Sequence, residues 1–196
     1  GSKVLHPRSV ELAGRHKVPL RVVSTFDGGP GTLISFDGDN MEGAVVSGIA
    51  HASDEAKITI EGVADIPGVA SKIISPVSAA NIDVDMIVQN TSAEGLTDFT
   101  FTVKRPDFDE AQALLRSVSE DIGARNVSGD PQISKVSVVG VGMRSHAGVA
   151  SRVFDALARE NINIQMISTS EIKISVVVDE KYTELAVRSL HEEFDL

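Results

Sequence analysis

Two glycine-containing segments each lie between a stretch typical of a strand and a stretch typical of a helix. They are Ala64-Asp-Ile-Pro-Gly68 and Gly142-Met-Arg-Ser-His-Ala-Gly148. A strand-to-helix turn presents the unpaired backbone N–H groups at the beginning of the helix, and these attract anions. A glycine there lets a ligand approach the backbone with no side chain in the way. The two segments therefore predict two sites for a carboxylate or a phosphate.

Polar residues elsewhere in the chain indicate which ligand the first segment would bind. Asp65 could hold an ammonium group, and Gln89, Asn90 and Ser92 could serve a polar ligand side chain. Together with the turn they predict a pocket for a zwitterionic amino acid. The alternative is that the two turn glycines only allow a helix and a strand to pack closely, since isolated turn glycines are a weak signal.

The phosphate-binding motifs of nucleotide enzymes fail on spacing. The segment from Gly140 begins like a dinucleotide fingerprint, but Ser145 stands at the third glycine position. Gly43 and Gly48 have the P-loop interval, yet Ile49-Ala50 replaces the required Lys and Ser or Thr. Neither segment predicts a phosphate-binding enzyme.

Catalytic and metal-binding patterns are equally weak. The five histidines show no short spacing typical of metal ligands. Ser145 and His146 are adjacent, which does not aim one side chain at the other, so His146 is interpreted as a loop or ligand-lining residue. Asp83 and Asp85 share one face of a predicted strand, and a solvated or interfacial face is the favoured interpretation. No catalytic residue and no metal site is predicted.

Three blocks occur twice in the same order, which indicates an internal repeat. The matched blocks are Lys57–Val63 with Lys135–Val141, Gly68–Ser71 with Gly148–Ser151, and Asn81–Ile87 with Asn161–Ile167. Each copy contains one of the glycine segments. The two halves are therefore predicted to be copies of one structural unit.

Each copy shows the same order of hydrophobic patterns. Alternating β-branched residues predict strands, and apolar residues at helical spacing predict a helix after each glycine, with Pro67 in the first turn of the first one. The helical apolar positions are Val69, Ile73 and Val77 in the first copy and Val149, Val153 and Leu157 in the second. The predicted strands are Lys57–Val63, Ile82–Gln89, Thr97–Lys104 and Arg125–Ser128, then Lys135–Val141, Ile162–Thr169 and Ile172–Val178; the second helices are Asp107–Ile122 and Glu180–Phe194. The order β-α-β-β-α-β predicts an α+β fold of two ferredoxin-like units, with Met86 and Met166 in the core.

The second copy has no residues left for its fourth strand. Ala44–Ala50, ahead of the first copy, reads as an otherwise unassigned strand. Because a missing strand would leave a sheet edge bare, we expect it to complete the second unit, so that the first unit is inserted into the second. The predicted units are residues 43–55 plus 132–196 and residues 56–131, with Gly129-Asp-Pro131 as the crossing linker. Residues 1–40 are too short to fold alone and are interpreted as part of another domain.

Composition and charge exclude several classes of partner. The 196 residues include 18 Lys and Arg against 28 Asp and Glu, a formal net charge of −10, with 4% aromatic residues and no cysteine. Nucleic-acid-binding proteins need a basic surface and often aromatic platforms. No secretory signal is visible, and no apolar run approaches the roughly 20 residues that span a membrane. We therefore expect a cytoplasmic protein that binds neither nucleic acid nor membrane.

Four blocks closely resemble the regulatory region of bacterial aspartokinases. They are Gly62-Val-Ala-Asp-Ile-Pro-Gly68, Asp85-Met-Ile-Val-Gln-Asn90, Val138-Val-Gly-Val-Gly-Met-Arg-Ser-His146 and Ile167-Ser-Thr-Ser-Glu-Ile-Lys-Ile-Ser175. The lead-in, with Lys3-Val-Leu-His-Pro-Arg8, Pro19-Leu-Arg-Val22 and Pro30-Gly-Thr32, resembles the end of the kinase domain of that family. The resemblance implies two ACT domains, the second discontinuous, and Met41 stands where a separate regulatory subunit would begin.

The resemblance also implies effector sites near the strand-to-helix turns, at interfaces between paired ACT domains. Carried over to this chain, the first site comprises Asp65, Ile66, Pro67, Gly68, Val69, Ala70, Gln89, Asn90 and Ser92. The second comprises His146, Gly148, Val149, Ala150, Asn161, Asn163, Ile164, Ser168 and Ser170.

The function implied by the resemblance is feedback control of aspartate phosphorylation, the first step towards lysine, threonine and methionine. The implied effectors are lysine, threonine or both, and the implied partners are a second copy of the chain, through ACT–ACT pairing, and the kinase domain. The chain itself is expected to be non-catalytic and to hold no cofactor, with ATP and Mg bound in the kinase core. The alternative is an ACT module that only mediates oligomerisation and binds no effector.

Overall fold

The computed structural model describes residues 4–35, 46–91, 95–141, 143 and 148–196. The chain divides into a small unit, Gly1–Ala44, and a large unit, Val45–Leu196. Ser92 and His146, and most of the second glycine segment, lie outside the described residues.

The small unit contains one helix and a two-stranded sheet. Helix α1 spans Pro7–Arg15, and strands β1 (Leu20–Val22) and β2 (Thr32–Ile34) pair antiparallel. The apolar pattern of the sequence predicts a helix over Leu5–Val18 and a strand over Leu20–Ser24, and both elements are shorter in the structure. Large apolar side chains of this unit are exposed, namely Val4, Leu12, Val18, Val23, Phe26 and Leu33.

The large unit alternates strands and helices in the predicted order. Its elements are β3 (Val46–Ala64), α2 (Val69–Ala79), β4 (Val84–Thr91), β5 (Leu96–Lys104), α3 (Phe108–Val118), β6 (Asn126–Gly140), α4 (Val149–Arg159), β7 (Met166–Thr169), β8 (Lys173–Asp179) and α5 (Thr183–Glu193). A short 3₁₀ turn precedes both α3 and α5. The α+β class and the two β-α-β-β-α-β units are confirmed.

All six strands of the large unit form one antiparallel sheet in the order β4-β5-β3-β6-β8-β7. The long central strands β3 and β6 pair from Val46 opposite Gly140 to Glu61 opposite Asn126. The beginning of β3 therefore lies beside the end of β6 and completes the sheet of the later unit, as the missing fourth strand required. We call residues 56–131 the first repeat, and residues 46–55 with 132–196 the second repeat.

Each repeat has its own hydrophobic core between its helices and the sheet. The core of the first repeat includes Ile58, Ile60 and Phe101, and all its members lie between Ala56 and Val127. The core of the second repeat comprises Val46 and buried residues between Val136 and Leu190. The six helical positions predicted from apolar spacing are buried in these two cores.

Three local predictions are wrong. Gly129-Asp-Pro131 is not a linker but part of β6, where Asp130 lies opposite Lys57 and Gly129 opposite Ile58. The strand continues because the register shifts between Glu55 and Lys57, and such an irregularity accommodates a proline that has no N–H to donate. A Cβ on Gly129 would lie 2.6 Å from the ring of Phe108, so the glycine serves close packing of α3.

The other two errors concern element boundaries. Pro67 lies just outside α2, which begins at Val69 with Gly68 as its N-cap. The strand following each first helix begins later than predicted, at Val84 and at Met166, because the chain first leaves the helix through a left-handed asparagine, Asn81 or Asn161.

Candidate functional site

The two strand-to-helix turns share an unusual backbone conformation at their glycines. Gly68 has φ 94° and Gly148 has φ 103°, both left-handed, and each is the N-cap of the helix that follows. Among the described residues, none lies within 4 Å of the position that a Cβ would occupy on either glycine. Close helix–strand packing therefore does not explain these glycines, whereas the positive φ does. Both helix N-termini open onto free space in the described part of the chain.

Each turn is tied to the hairpin that joins an edge strand to its neighbour, β4 to β5 in the first repeat and β7 to β8 in the second. The N–H of Asp65 donates to the carbonyl of Gly95 over 3.0 Å, and that of Met143 donates to the carbonyl of Glu171 over 3.0 Å. The same contact thus holds both turns, which indicates that they are equivalent sites.

Around the first turn, the structure brings together part of the predicted site. The residues Asp65, Ile66, Pro67 and Gly68 are exposed, Ala70 is half-buried and Val69 is buried. Thr91 at the end of β4 donates its hydroxyl to the Asp65 carboxylate over 3.3 Å. The face of β4 that includes Gln89 and Thr91 therefore adjoins the turn, with an exposed carboxylate available to an ammonium group.

The side chain of Asn90 does not face the first turn, because neighbouring residues of a strand such as Gln89 and Asn90 point to opposite faces. Its side chain shares a face with Met86 and Val88, which pack in a small third core with Ile133, Met166 and Val177. Asn90 thus points to the face of the sheet opposite the helices, away from Asp65. Met86 and Met166 of this third core are both buried, as predicted.

Around the second turn, the predicted residues are spread over both ends of α4. Gly148, Val149 and Ala150 begin the helix, whereas Asn161 lies beyond its end. Eleven residues at about 1.5 Å each separate these ends by roughly 16 Å. Asn161 has φ 56°, and asparagine tolerates this left-handed conformation after a helix, which gives it a structural role. Asn163 follows it and is exposed.

The serines predicted for the second site lie on the β7–β8 hairpin. Ser168 is exposed on the edge strand β7 opposite Ser175. The hydroxyl of Ser170 accepts from the N–H of Lys173 over 3.2 Å and so closes the hairpin turn. Within one chain, Ser170 is therefore near the second turn, since the same hairpin contacts Met143.

A cleft of about 450 Å³ lies on the face of the sheet opposite the helices, between the two repeats. We call it the inter-repeat cleft. It is lined by Lys57, Thr59, Val88, Asn90 and Thr100 of the first repeat and by Ile164, Gln165, Met166 and Ile167 of the second. Of the predicted site residues, it brings together Asn90 and Ile164.

Two lysines bridge the repeats on this face. The Lys57 ammonium donates to the side-chain carbonyl of Gln165, and the Lys135 ammonium donates to the carboxylate of Asp85. Lys135 also lies 3.1 Å from the carboxylate of Glu55, which is only 2% exposed and receives a second contact from Lys104 at 3.2 Å. The interfacial interpretation of Asp85 thus agrees with its contact to Lys135.

The Lys135–Asp85 pair shifts the pKa values of both groups. Burial raises the pKa of Asp85, but the hydrogen bond and charge of Lys135, with Lys173 and Lys104 nearby, outweigh burial and hold that pKa below its ordinary 3.8. Burial lowers the pKa of Lys135, but Asp85 and Glu55 outweigh burial and raise that pKa above 10.5. Both groups are therefore held in their charged forms.

The sequence-based search missed Lys57, Lys135 and Glu55 as site residues. The repeat contained a signal for Lys57 and Lys135, because they occupy the same position at the beginning of matched blocks.

Within the described residues, no three His, Asp or Glu side chains are grouped to hold a metal ion. No helix in the described residues is long and apolar enough to cross a membrane.

Comparison with known families identifies both repeats. One model of the ACT domain matches residues 58–120, and a second model of the ACT domain matches residues 136–194. Aspartate kinase of Pseudomonas fluorescens (strain SBW25) is 64% identical over 197 aligned positions, which cover 100% of this chain and 48% of that protein. The chain spans about half the length of the curated relatives it matches.

Solved structures agree with this assignment. The ligand-free regulatory subunit of aspartate kinase from Thermus thermophilus is 39% identical, with a TM-score of 0.73 over 76% of this chain and 99% of that chain. E. coli aspartokinase III in complex with lysine and aspartate, in its T-state, is 25% identical, with a TM-score of 0.76 over 98% of this chain and 42% of that chain.

Proposed function

The chain belongs to the aspartokinase family and is a regulatory region built from ACT domains, and we propose that it senses lysine, threonine or both for feedback inhibition of aspartate phosphorylation. The observation that carries this proposal is the pair of equivalent turns. Each has a left-handed glycine at an open helix N-terminus and a hydrogen bond to the neighbouring hairpin.

The chemistry of the first turn suits an amino acid. Backbone N–H groups at the beginning of α2 would receive the carboxylate of the effector. The Asp65 carboxylate, to which Thr91 donates, would receive its ammonium group, and Gln89 would contact its side chain. The E. coli relative that was solved with lysine supports an amino acid as effector.

The second turn is proposed as a related site. It uses Gly148, Val149 and Ala150, with Ser170 nearby on the hairpin. Since Asn161, Asn163 and Ile164 lie beyond the other end of α4, and since Asn90 faces the inter-repeat cleft, these four residues would reach an effector only across an interface with another ACT domain.

The proposal includes pairing of two chains through ACT domains. The strands β4 and β7 are at the two edges of the sheet and expose Ile87 and Ile167 at matched positions of the repeat. Unpaired backbone groups on such edges favour pairing with a second copy. We propose the domain division of residues 43–55 plus 132–196 and 56–131, which the separate cores support.

The remaining parts of the proposal concern the longer protein. Residues 1–40 would belong to the end of a kinase domain, and the exposed apolar side chains of the small unit suit a segment that packs against such a domain. ATP and Mg would bind in that domain and not in this chain, which would be non-catalytic. The protein would work in the cytoplasm.

Isothermal titration calorimetry of the chain with lysine, with threonine and with their mixture tests the proposal. We expect heat of binding for at least one of them, and its loss in the Asp65→Asn variant. Asp83→Asn, an exposed carboxylate on the same repeat, is the matched control and should bind normally.

The competing function, a module that only mediates oligomerisation, predicts a different result. A folded chain that gives no heat with any of the three solutions would contradict the sensor. Light scattering on the same samples separates the two functions, because a sensor variant loses binding while its oligomeric state is unchanged.

A further inference from the structure

The repeat relates the two bridging lysines to each other. Lys57 and Lys135 begin the matched blocks 57–63 and 135–141, and Asp85 and Gln165 are matched residues of the blocks 81–87 and 161–167. Each lysine donates to that matched residue of the other repeat. The molecule therefore makes the same contact twice, once with a carboxylate and once with a neutral amide.

The surroundings of the two lysines also differ in charge. Lys135 is 14% exposed, and two carboxylates, Asp85 and Glu55, balance its charge. Within the described part of the chain, no carboxylate oxygen lies within 4 Å of the Lys57 ammonium, whose partner there is Gln165. A half-buried ammonium whose described hydrogen-bond partner is one neutral amide leaves donor capacity unused, since an ammonium has three donors.

The hydroxyl pairs beside the two lysines differ in exposure. Next to Lys135, the hydroxyls of Ser137 and Ser175 hydrogen-bond each other over 2.8 Å and are buried. Next to Lys57, the corresponding hydroxyls of Thr59 and Thr100 hydrogen-bond each other over 3.1 Å and line the open inter-repeat cleft. A cleft of about 450 Å³ is within the range of small-molecule sites.

We propose that the inter-repeat cleft binds a small carboxylate-bearing molecule, whose carboxylate lies beside Lys57 as that of Asp85 lies beside Lys135. The side-chain amides of Asn90 and Gln165 supply further donors, as does whichever hydroxyl of the Thr59–Thr100 pair accepts within that pair. Charge-assisted hydrogen bonds of this kind are the strong ones in proteins.

This site is distinct from the two turns. Ile58 and Ile60 point into the core beneath the helices, so the alternating residues Lys57 and Thr59 point to the other face. The turns lie at the helix N-termini, on the helical side. The inference therefore goes beyond the proposed sensing at the turns and does not depend on it.

Amide NMR spectra of the chain during titration with succinate test the proposal. We expect saturable shifts at Lys57, Thr59, Thr100 and Gln165, and no such shifts with the uncharged succinamide. Lys57→Met should weaken succinate binding by about tenfold or more, the equivalent of one charge-assisted hydrogen bond. Lys72→Met, which removes an exposed lysine from α2, is the matched control and should leave binding unchanged.

The variant Gln165→Glu provides an independent test because it supplies the missing carboxylate from the chain itself. It should abolish succinate binding and raise the denaturation midpoint, and the rise should vanish when Lys57→Met is added. Equal succinate affinity in the wild type, Lys57→Met and Gln165→Glu would overturn the proposal, as would the absence of shifts at millimolar succinate.

Two variants distinguish binding in the cleft from binding at the sensing turns. Lys57→Met should retain the calorimetric response to lysine or threonine, and Asp65→Asn should retain the succinate shifts. If succinate shifts appeared only at residues 65–70 or 148–150, the carboxylate would belong to the turns and the cleft proposal would be wrong.

Discussion

In the second repeat Lys135 is largely buried between two carboxylates, whereas in the first repeat Lys57 lies beside a neutral amide at an open cleft. The two lysines occupy matched positions of the repeat, and the left-handed glycines and the hairpin contacts of the two turns also recur. The comparison shows that the repeats share their fold but differ in the charge around these lysines.

Replacing each of the two lysines should give the largest difference in the free energy of unfolding. Lys135→Met leaves the buried Glu55 with Lys104 alone, so we expect a loss of about 3 kcal/mol in the free energy of unfolding. Lys57→Met removes one hydrogen bond to a neutral amide beside an open cleft, and we expect a smaller loss of about 1.5 kcal/mol. Urea denaturation of both variants checks the difference, and equal losses would show that the two contacts are energetically equivalent.

Replacing the turn glycines should instead reveal how alike the repeats are. Gly68→Ala and Gly148→Ala force a Cβ into a left-handed conformation, at a cost of about 1–2 kcal/mol each, and both should weaken effector binding. Gly48→Ala is the control, since its φ is not positive and open space surrounds its Cβ position. A large loss at only one of the two turns would contradict their equivalence.

The two bridging contacts should differ by a smaller amount in how their stabilisation depends on pH, because only the Lys135–Asp85 contact includes a carboxylate. Because the pKa of Asp85 is lowered by folding, its stabilisation is present above about pH 4 and is lost as the pH falls through the folded pKa. The raised pKa of Lys135 gives stabilisation that is present below 10.5 and is lost as the pH rises through the folded value.

Asp85→Asn isolates the acidic part of this dependence. Since Asp85 is nearly half exposed, we expect a loss of only about 1 kcal/mol at neutral pH. The difference between wild type and variant should shrink as the pH is lowered from 6 to 3 in denaturation experiments. A difference that stayed constant over this range would mean that the Lys135–Asp85 pair does not stabilise the fold.

The sequence predicted much of the fold because the repeat supplied independent evidence for each element. The blocks around Lys57 and Lys135 located equivalent strands, and the missing fourth strand indicated that the beginning of β3 belongs to the second repeat. The error at Gly129-Asp-Pro131 arose because a glycine and a proline usually end a strand, and neither the ring of Phe108 nor the register shift at Glu55 is visible in a linear sequence.

The candidate site was less predictable because it depends on distances between elements. Local pattern located the glycines that begin α2 and α4, since a glycine between a strand and a helix is a short-range signal. The distance of Asn161 from Gly148 depends on the length of α4, and the opposite direction of Asn90 depends on strand alternation. The inter-repeat cleft arises only from the folding of two repeats against each other, so no single segment indicates it.

Hydrogen–deuterium exchange of the chain with and without threonine and lysine tests the central claim most directly, because it reports where an effector binds. We predict slower exchange of the amides at residues 65–70 and 148–150. Binding that left both turns unprotected, or protection confined to the inter-repeat cleft, would contradict the account of the turns as the sensing sites.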